Sequence, residues 1–218
     1  MASKRMTKAL AREFFTQVSD YYPNATPTLD ARNPFEIVVA VSLSAQTTDV
    51  AVNAVTPKLF AQYPTPAGMS QADVADIEHL IDRLGLYKNK AKHLKQMSTQ
   101  LVELYHGQVP DNFEALTSLS GVGQKTATVV LSDAFNHPGI AVDTHVTRIV
   151  KGFGLVKQSA TPAAIQTYLE ALMPQSMWIN LHRSLIRFGR QWLTARAPQL
   201  PPGEIWQRFA EYYRPMQH

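Results

Sequence analysis

Apolar residues recur at helical spacing along most of the chain. Within residues 7–22 they include Phe14, Phe15, Val18 and Tyr22, which would share one face of a helix. The same spacing predicts further helices over residues 71–84, 85–105, 124–135, 143–152, 162–172, 178–194 and 204–213. The chain is therefore predicted to be all-α.

The apolar segment of residues 35–60 allows two interpretations at its start. Residues 37–41, IVVAV, have the composition of a buried strand. The apolar pattern then continues for longer than one strand, which favours two helices broken near residues 44–48.

Two glycines and a lysine stand between two predicted helices, in the segment LSGVGQKTATVV. The first helix is short and ends at Leu119; Asp111 would cap it, with Glu114 reaching back in a capping box. The sequence Ser-Gly-Val-Gly then leads into the helix at 124–135. We therefore predict a helix-hairpin-helix over about residues 112–135.

Gly121 and Gly123 would give this hairpin a tight backbone with positive φ and no side chain above it. The first amides of the next helix would then be bare, at the positive end of its dipole, where a phosphate can bind. Such a hairpin holds a nucleic-acid backbone without reading its sequence. The alternative is a glycine C-cap that only joins two core helices.

Asp143, in the segment IAVDTHVTRIV, precedes a predicted helix, and an ordinary N-cap is the commoner role for such a residue. The functional alternative pairs it with Lys125, which follows the hairpin glycines. A lysine amine attacks only after it has lost its proton, so it needs a nearby base or surroundings that lower its pKa. A carboxylate can accept that proton or stabilise a developing cation.

Composition narrows the function classes. The 218 residues are 45% apolar, enough for the core of one large or two small domains, and the net charge of +4 suits an anionic partner without requiring one. The chain has no cysteine, which excludes disulfides, zinc thiolate sites and cysteine-ligated iron–sulfur clusters. With no signal-peptide pattern and no apolar run near the ~20 residues of a membrane span, a cytoplasmic protein is expected.

Four segments together resemble the endonuclease III family: VSLSAQTTDVAVN, RLGLYKNKA, LSGVGQKTATVVL and AVDTHVTRI. The match runs in order from about residue 34 to residue 190. The family consists of bifunctional base-excision DNA glycosylases of the helix-hairpin-helix superfamily. The resemblance implies a six-helix domain over residues 26–137 and a second helical domain from residues 1–25 and 138–218, with DNA in a cleft between them.

The resemblance also implies a mechanism. Lys125 would attack C1′ of a flipped, damaged nucleotide, and Asp143 would activate the lysine and stabilise the charge that grows on the sugar. The resulting Schiff base would permit β-elimination and strand cleavage. The expected substrate is an oxidised pyrimidine in double-stranded DNA, and the expected enzyme is a monomer, in the bacterial nucleoid when on DNA.

Several further side chains match DNA-contacting positions of the family. Gln46 would fill the space left by the flipped nucleotide, and Leu86 would enter the base stack as a wedge. Without the resemblance, these two would be interpreted as a polar helix-end residue and a core leucine. Lys88 and Lys90 belong to a lysine-rich segment that is either a solvated face or a set of phosphate contacts.

Two further features lie near the hairpin and Asp143 in the sequence. His145 would either orient Asp143 at the DNA or serve as a hydrogen-bonded structural histidine. The backbone carbonyls of Thr117, Leu119 and Val122 match positions that hold a monovalent cation in related hairpins.

The sequence departs from the family at the C-terminal iron–sulfur cluster. Its four cysteine positions align with Leu193, Leu200, Gly203 and Phe209, so no cluster ligand is present, no cofactor is expected, and the three apolar side chains are predicted to form an apolar plug. The hairpin also has Ser120 where proline is usual, and Thr117 where a family glutamate often lies. Two alternatives therefore stay open: a glycosylase for another damaged base, such as an alkylated purine, or a non-catalytic protein that binds DNA structures.

Overall fold

The structure, a computed structural model, describes residues 6–215. Within this range it contains α-helices, a 3₁₀ turn at Gln175–Met177 and an isolated bridge between Leu193 and Pro198, but no β-strand. The helices are α1 Lys8–Tyr21, α2 Pro34–Leu43, α3 Asp49–Gln62, α4 Pro66–Gln71, α5 Val74–Leu80, α6 Tyr87–Tyr105, α7 Phe113–Ser118, α8 Gln124–Phe135, α9 Thr144–Gly152, α10 Pro162–Leu172, α11 Trp178–Gln191 and α12 Glu204–Ala210. The prediction of an all-α fold is confirmed. None of the described helices is long and apolar enough to cross a membrane.

The chain divides into two compact units. One, which we call the hairpin unit, is residues 27–137; the other, the split unit, combines residues 1–26 with residues 138–218, of which 6–26 and 138–215 are described. The predicted domain boundaries lie beside these. The hairpin unit contains seven helices, α2 to α8, where six were expected.

The extra helix is α4, which was not predicted; the predicted helix at 71–84 was also wrong at both ends, since α5 is Val74–Leu80. Helix α4 begins at Pro66, with Thr65 as its N-cap, and ends at Gln71. Ala72 is then extended, with ψ 147°, and Asp73 is the N-cap position of α5. The regular apolar positions begin only at Val74, after this break, and both short helices bury residues in the same core.

The segment IVVAV lies within α2, so its interpretation as a strand was wrong and the two-helix prediction was correct. Asn33 caps α2 by accepting a 2.9 Å bond from the Glu36 amide, with Pro34 in the first turn. Val38, Val39 and Ala40 are all fully buried, which places successive faces of the helix in the core. A helix buried on all sides has no polar face, and its sequence then resembles that of a buried strand.

The cores of the two units differ in composition. The hairpin unit packs mostly aliphatic residues such as Leu59, Ile77 and Leu101. The split unit is built around Phe14 of α1, whose ring lies 4.4 Å from that of Phe153. Trp178, Trp192 and Trp206 also contact this core.

Candidate DNA-binding and catalytic site

The hairpin begins with α7, which is capped one residue later than predicted. Asn112, not Asp111, is the N-cap, and its Oδ1 accepts a 2.9 Å hydrogen bond from the Ala115 amide. Asn and Asp cap helices equally well, so residue type did not distinguish the two positions. The hydroxyl of Thr117 donates to the carbonyls of Phe113 and Glu114 in the same helix.

The turn between α7 and α8 is held from below by two buried side chains. Leu119 and Val122 are 3% and 6% exposed, and the Val122 amide donates to the Leu119 carbonyl at 3.1 Å. Gly121 has φ +78°, as predicted for a residue without a Cβ. Gly123 does not: its φ is −89°, in the extended region, so the prediction of positive φ was wrong there.

Gly123 instead leaves the start of α8 open. A Cβ built on it would meet nothing within 4 Å, and Gly123 is the N-cap position without any side-chain cap. The first helical bond runs from the Ala127 amide to the Gly123 carbonyl. Among the described residues, no acceptor is bonded to the amides of Gly121, Gly123 or Gln124, so an anion can approach them.

Lys125 is the second residue of α8 and is exposed. Its ammonium has no ion-pair partner in the described part of the chain. The helix therefore presents a cationic side chain and free backbone amides together at one end. This combination suits a phosphodiester and places a primary amine beside it.

A polar network joins the turn to α6. The Ser120 amide donates to Gln100 Oε1 at 2.7 Å, and the Ser120 hydroxyl donates to Gln96 Oε1 at 3.0 Å. The same hydroxyl lies 2.8 Å from His93 Nδ1. A proline at this position could not donate its amide, so Ser120 gains a bond that the family's usual residue cannot make. We call these four residues the turn network.

Gln46 and Leu86 share an uncommon backbone conformation. Their φ angles are 56° and 60°, in the left-handed region that bulky side chains rarely adopt. Gln46 is exposed, and Leu86 is 58% exposed although it is apolar. Leu86 is thus not the core leucine of the alternative interpretation. Strained backbone of this kind clusters at ligand-binding sites.

Lys88 and Lys90 do not share a surface. Lys88 is exposed, whereas Lys90 is only 8% exposed and its Nζ donates to the Leu43 carbonyl at 2.9 Å. Burial lowers the pKa of the Lys90 ammonium. The expectation that Lys90 lies on a basic surface is therefore corrected. The lysine-rich segment as a whole indicated an exposed surface, but Lys90 lies on the side of α6 that faces the core.

Asp143 is the N-cap of α9 in the split unit, which confirms its structural role. Its Oδ1 accepts a 2.8 Å hydrogen bond from the Val146 amide. The side chain is partly exposed, and Oδ2 makes no hydrogen bond with any described residue. One carboxylate oxygen is thus used for capping, and the other is available to a ligand.

His145 is tied into the split unit. Arg148 donates to its Nδ1 at 2.8 Å, so this nitrogen carries a lone pair. Burial is the main cause that lowers the pKa of the imidazole, partly opposed by the nearby Asp143 carboxylate. A Cβ on Gly189 would lie 2.8 Å from His145 Cβ, so the glycine gives the histidine its space. These contacts favour the structural role for His145.

Two of the arginines on α11 also serve within the split unit. Arg183 donates to the Ala25 carbonyl, and Arg187 donates to the carbonyl and hydroxyl of Thr26. Both therefore hold the chain that follows α1.

The positions that match cluster ligands in the family do not fit a metal. Leu193 and Phe209 are fully buried, Leu200 packs against the same core, and Gly203 has no side chain. No group of three His, Cys, Asp or Glu in residues 6–215 could hold a metal ion. The apolar plug, meaning Leu193, Leu200 and Phe209, occupies the region as predicted.

Sequence reasoning missed the turn network and Arg148. His93, Gln96 and Gln100 are polar residues at spacings of three and four on α6, which places them on one face. That pattern was the available signal. For Arg148 the signal was incomplete: His145 lies three residues earlier on the same helix, but the carbonyls of Leu193 and Gly189 are brought to it by the fold.

Comparison with known proteins gives consistent results. Residues 39–175 match the HhH-GPD superfamily of base excision DNA repair proteins. Endonuclease III of Bacillus subtilis is 41% identical over 183 residues, which are 84% of each chain. Endonuclease III of Escherichia coli K12 is 38% identical, over 89% of this chain and 92% of its own.

The structure also resembles a solved endonuclease III, trapped with DNA as a covalent intermediate in an estranged-adenine complex. The TM-score is 0.88 at 38% identity, and the match covers 92% of this chain and 94% of the other. With its fold, its hairpin and relatives of nearly full length in agreement, this chain belongs to the endonuclease III family of the HhH-GPD superfamily.

Proposed function

We propose that this protein is a bifunctional DNA glycosylase and abasic-site lyase that removes oxidised pyrimidines from double-stranded DNA, with Lys125 as its nucleophile. Family membership confirms the enzyme class that the sequence predicted. The observation that supports the assignment of Lys125 is its place on the open end of α8, next to amides that no protein group occupies.

The chemistry follows from an amine at that place. Once unprotonated, the Lys125 amine attacks C1′ of the flipped nucleotide, the C1′–N bond breaks, and the base leaves with its electron pair and takes up a proton. The sugar ring opens to a Schiff base on Lys125. The positive imine makes the C2′ proton acidic; its loss expels the 3′ phosphate and cuts the strand. Water then hydrolyses the imine and frees the amine.

Asp143 has two tasks in this proposal. Its free Oδ2 takes the proton from Lys125 and stabilises the positive charge that develops on the sugar. Its Oδ1 holds the carboxylate in place through the Val146 amide, so the capping bond and the chemistry use different oxygens.

Five of the other predicted residues bind DNA. The amides of Gly121 and Gly123 hold a phosphate, Gln46 and Leu86 replace the flipped nucleotide in the stack, and Lys88 adds a phosphate contact. The carbonyls of Thr117, Leu119 and Val122 would hold a monovalent cation, which would add positive charge at the turn. The enzyme works as a monomer in the bacterial cytoplasm, at the nucleoid.

Borohydride trapping tests the proposal. It is performed on a duplex with one abasic site, using the wild type, Lys125→Gln and, as a matched control, the exposed Lys58→Gln on α3. We expect a covalent adduct with the wild type and with K58Q, and at least ~10³-fold slower trapping with K125Q, as is typical when a nucleophile is removed.

Three outcomes would contradict parts of the proposal. No adduct from folded wild type that binds the duplex refutes the lyase and leaves a monofunctional enzyme or a binding protein. An undiminished adduct with K125Q places the nucleophile elsewhere. Release of alkylated purines but not of oxidised pyrimidines from a panel of lesion duplexes refutes the substrate class.

A further inference from the structure

Lys90 connects the two loops that present Gln46 and Leu86. Its backbone amide donates to the Leu86 carbonyl at 3.0 Å, in the first turn of α6. Its ammonium donates to the carbonyl of Leu43, the last residue of α2. Gln46 follows three residues later, in the loop that α2 leads into. One residue thus bonds to both segments.

The ammonium occupies a place that the backbone leaves open. In the loop after α2, the amide of Ala45 bonds to Ser42 and that of Thr47 to Ser44. In the described chain no backbone amide reaches the Leu43 carbonyl, because Gln46 turns into the left-handed region. A helix-terminal carbonyl needs a donor, and a cation suits the negative end of the dipole.

Placing a charged side chain at this position carries a cost in stability. Lys90 is 8% exposed, and the lowered pKa of its ammonium shows that burial disfavours the charge. No carboxylate forms a salt bridge with it in the described residues. An apolar side chain of similar length would avoid that desolvation cost but would leave the Leu43 carbonyl without a donor. The ammonium thus fixes the end of α2 to the first turn of α6, which begins after Leu86.

We propose that Lys90 is a positioning residue, which couples the Gln46 loop to the Leu86 loop so that both side chains enter the base stack as one unit. This inference rests on the proposed function, since it takes Gln46 and Leu86 as the residues that replace the flipped nucleotide. Lys90 touches no DNA: it acts through the carbonyls of Leu43 and Leu86.

The test measures base unstacking without chemistry. All proteins carry Lys125→Gln, and the protein with this substitution alone is called the parent. The duplex contains a tetrahydrofuran abasic analogue beside 2-aminopurine, whose fluorescence rises when it unstacks from its neighbours. We expect Lys90→Met to lower the unstacking rate about 10-fold, because a displacement of order 1 Å can cost ~100-fold in such steps. Lys58→Met, at an exposed residue, removes one positive charge from the same unit and should leave the unstacking rate equal to that of the parent.

Two measurements separate positioning from a general structural role. The melting temperature of K90M should stay within about 4 °C of the parent, near the shift expected for a small stability change in a protein of this size. In the parent, Gln46→Ala and Leu86→Ala together should slow unstacking less than the product of their single effects. In K90M the two effects should multiply, as for independent sites.

Lys90→Arg keeps a cationic donor and serves as the second variant, including the case that K90M fails to fold. It should recover at least half of the lost unstacking rate and retain the coupling between Gln46 and Leu86. Parent-like unstacking in folded K90M, or independent effects of the two alanine substitutions when Lys90 is present, would refute the proposal. Failure of the borohydride experiment would leave these readouts intact, since none of them requires Lys125.

Discussion

The hairpin turn at residues 119–123 and the apolar plug hold the backbone by opposite means. The turn relies on directed bonds, such as the 2.7 Å bond from the Ser120 amide to Gln100, and leaves other amides bare. The plug relies on buried side chains, with the ring of Phe209 5.2 Å from that of Phe14. The turn must keep specific atoms accessible, whereas the plug need only fill a volume.

This difference explains why one region keeps the family pattern and the other does not. In the proposed function, the open amides at the start of α8 bind a phosphate, and a side chain at Gly123 would cover them. Filling a core permits many solutions if volume and polarity are kept. Aromatic packing between α1 and α12 therefore holds the C-terminal segment with residues that provide no metal ligand.

The largest expected effect comes from breaking the plug. Phe209→Ala should lower the free energy of unfolding by about 3–5 kcal/mol, because it removes a fully buried ring from the aromatic core. Phe209→Leu, which keeps most of the volume, should cost less than about 1.5 kcal/mol. Chemical denaturation measures both. A loss under 1 kcal/mol for F209A would mean that packing at this position does not secure the segment.

The two hairpin glycines form a matched pair with a smaller effect. Gly121→Ala should cost about 1–3 kcal/mol, since φ is +78° and the new Cβ would lie 3.0 Å from His93 Cβ. Gly123→Ala should stay within about 0.5 kcal/mol, because loss of a glycine cap and gain in chain entropy nearly cancel.

The effects of the two glycine substitutions on DNA affinity should have the opposite order to their effects on stability. Gly123→Ala places a methyl group over the open amides, so its affinity in fluorescence anisotropy should fall although its stability does not. Equal affinities for G123A and the wild type would show that a phosphate does not bind at this end of α8.

Substitutions of Asp143, in the split unit, separate its contribution to helix capping from its contribution to catalysis. Asp143→Ala should cost about 1 kcal/mol of stability through the lost bond to the Val146 amide. Asp143→Asn keeps a capping oxygen and should cost a few tenths, yet trap DNA with borohydride as poorly as D143A. Denaturation and trapping rates measure the two effects. Normal trapping by D143N would leave Asp143 with the capping role alone.

The smallest effect is expected in the turn network. Ser120→Ala removes the hydroxyl bonds to Gln96 and His93, keeps the amide bond to Gln100, and should cost about 0.5–1 kcal/mol. Ser120→Pro removes the amide bond as well and should cost more. Thermal denaturation of the two variants checks this order, and a more stable S120P would show that backbone rigidity matters more than the network.

Much of the fold could be predicted from the sequence because helices carry local signals. Apolar spacing identified α1, α6 and α8 to α12 closely, and the break after α2 followed from the length of the apolar run. The boundary between α4 and α5 was missed: Ala72 is extended and Asp73 is an N-cap position, directly before the regular apolar positions begin at Val74. Asp111 and Asn112 are both residue types that cap helices well. Which of them is the N-cap depends on the backbone geometry, which the sequence does not show.

The positions of some candidate-site residues could be predicted from local sequence. Lys125 lies in the first turn of α8 and Asp143 is the N-cap of α9, as expected. Lys90 was misplaced because four lysines in one segment indicate a solvated face, whereas the fold turns one of them toward the Leu43 carbonyl. Contacts between segments distant in sequence decide such cases.

The aromatic packing of Phe14 with Phe209 also sets an order of events during synthesis. Phe14 leaves the ribosome early, but its core partners on α11 and α12 are the last to be made. The hairpin unit is continuous in sequence and can complete its core while translation continues. The split unit must wait for α12, so a nascent chain halted before Trp206 would hold a formed hairpin beside an exposed aromatic surface that a chaperone would recognise.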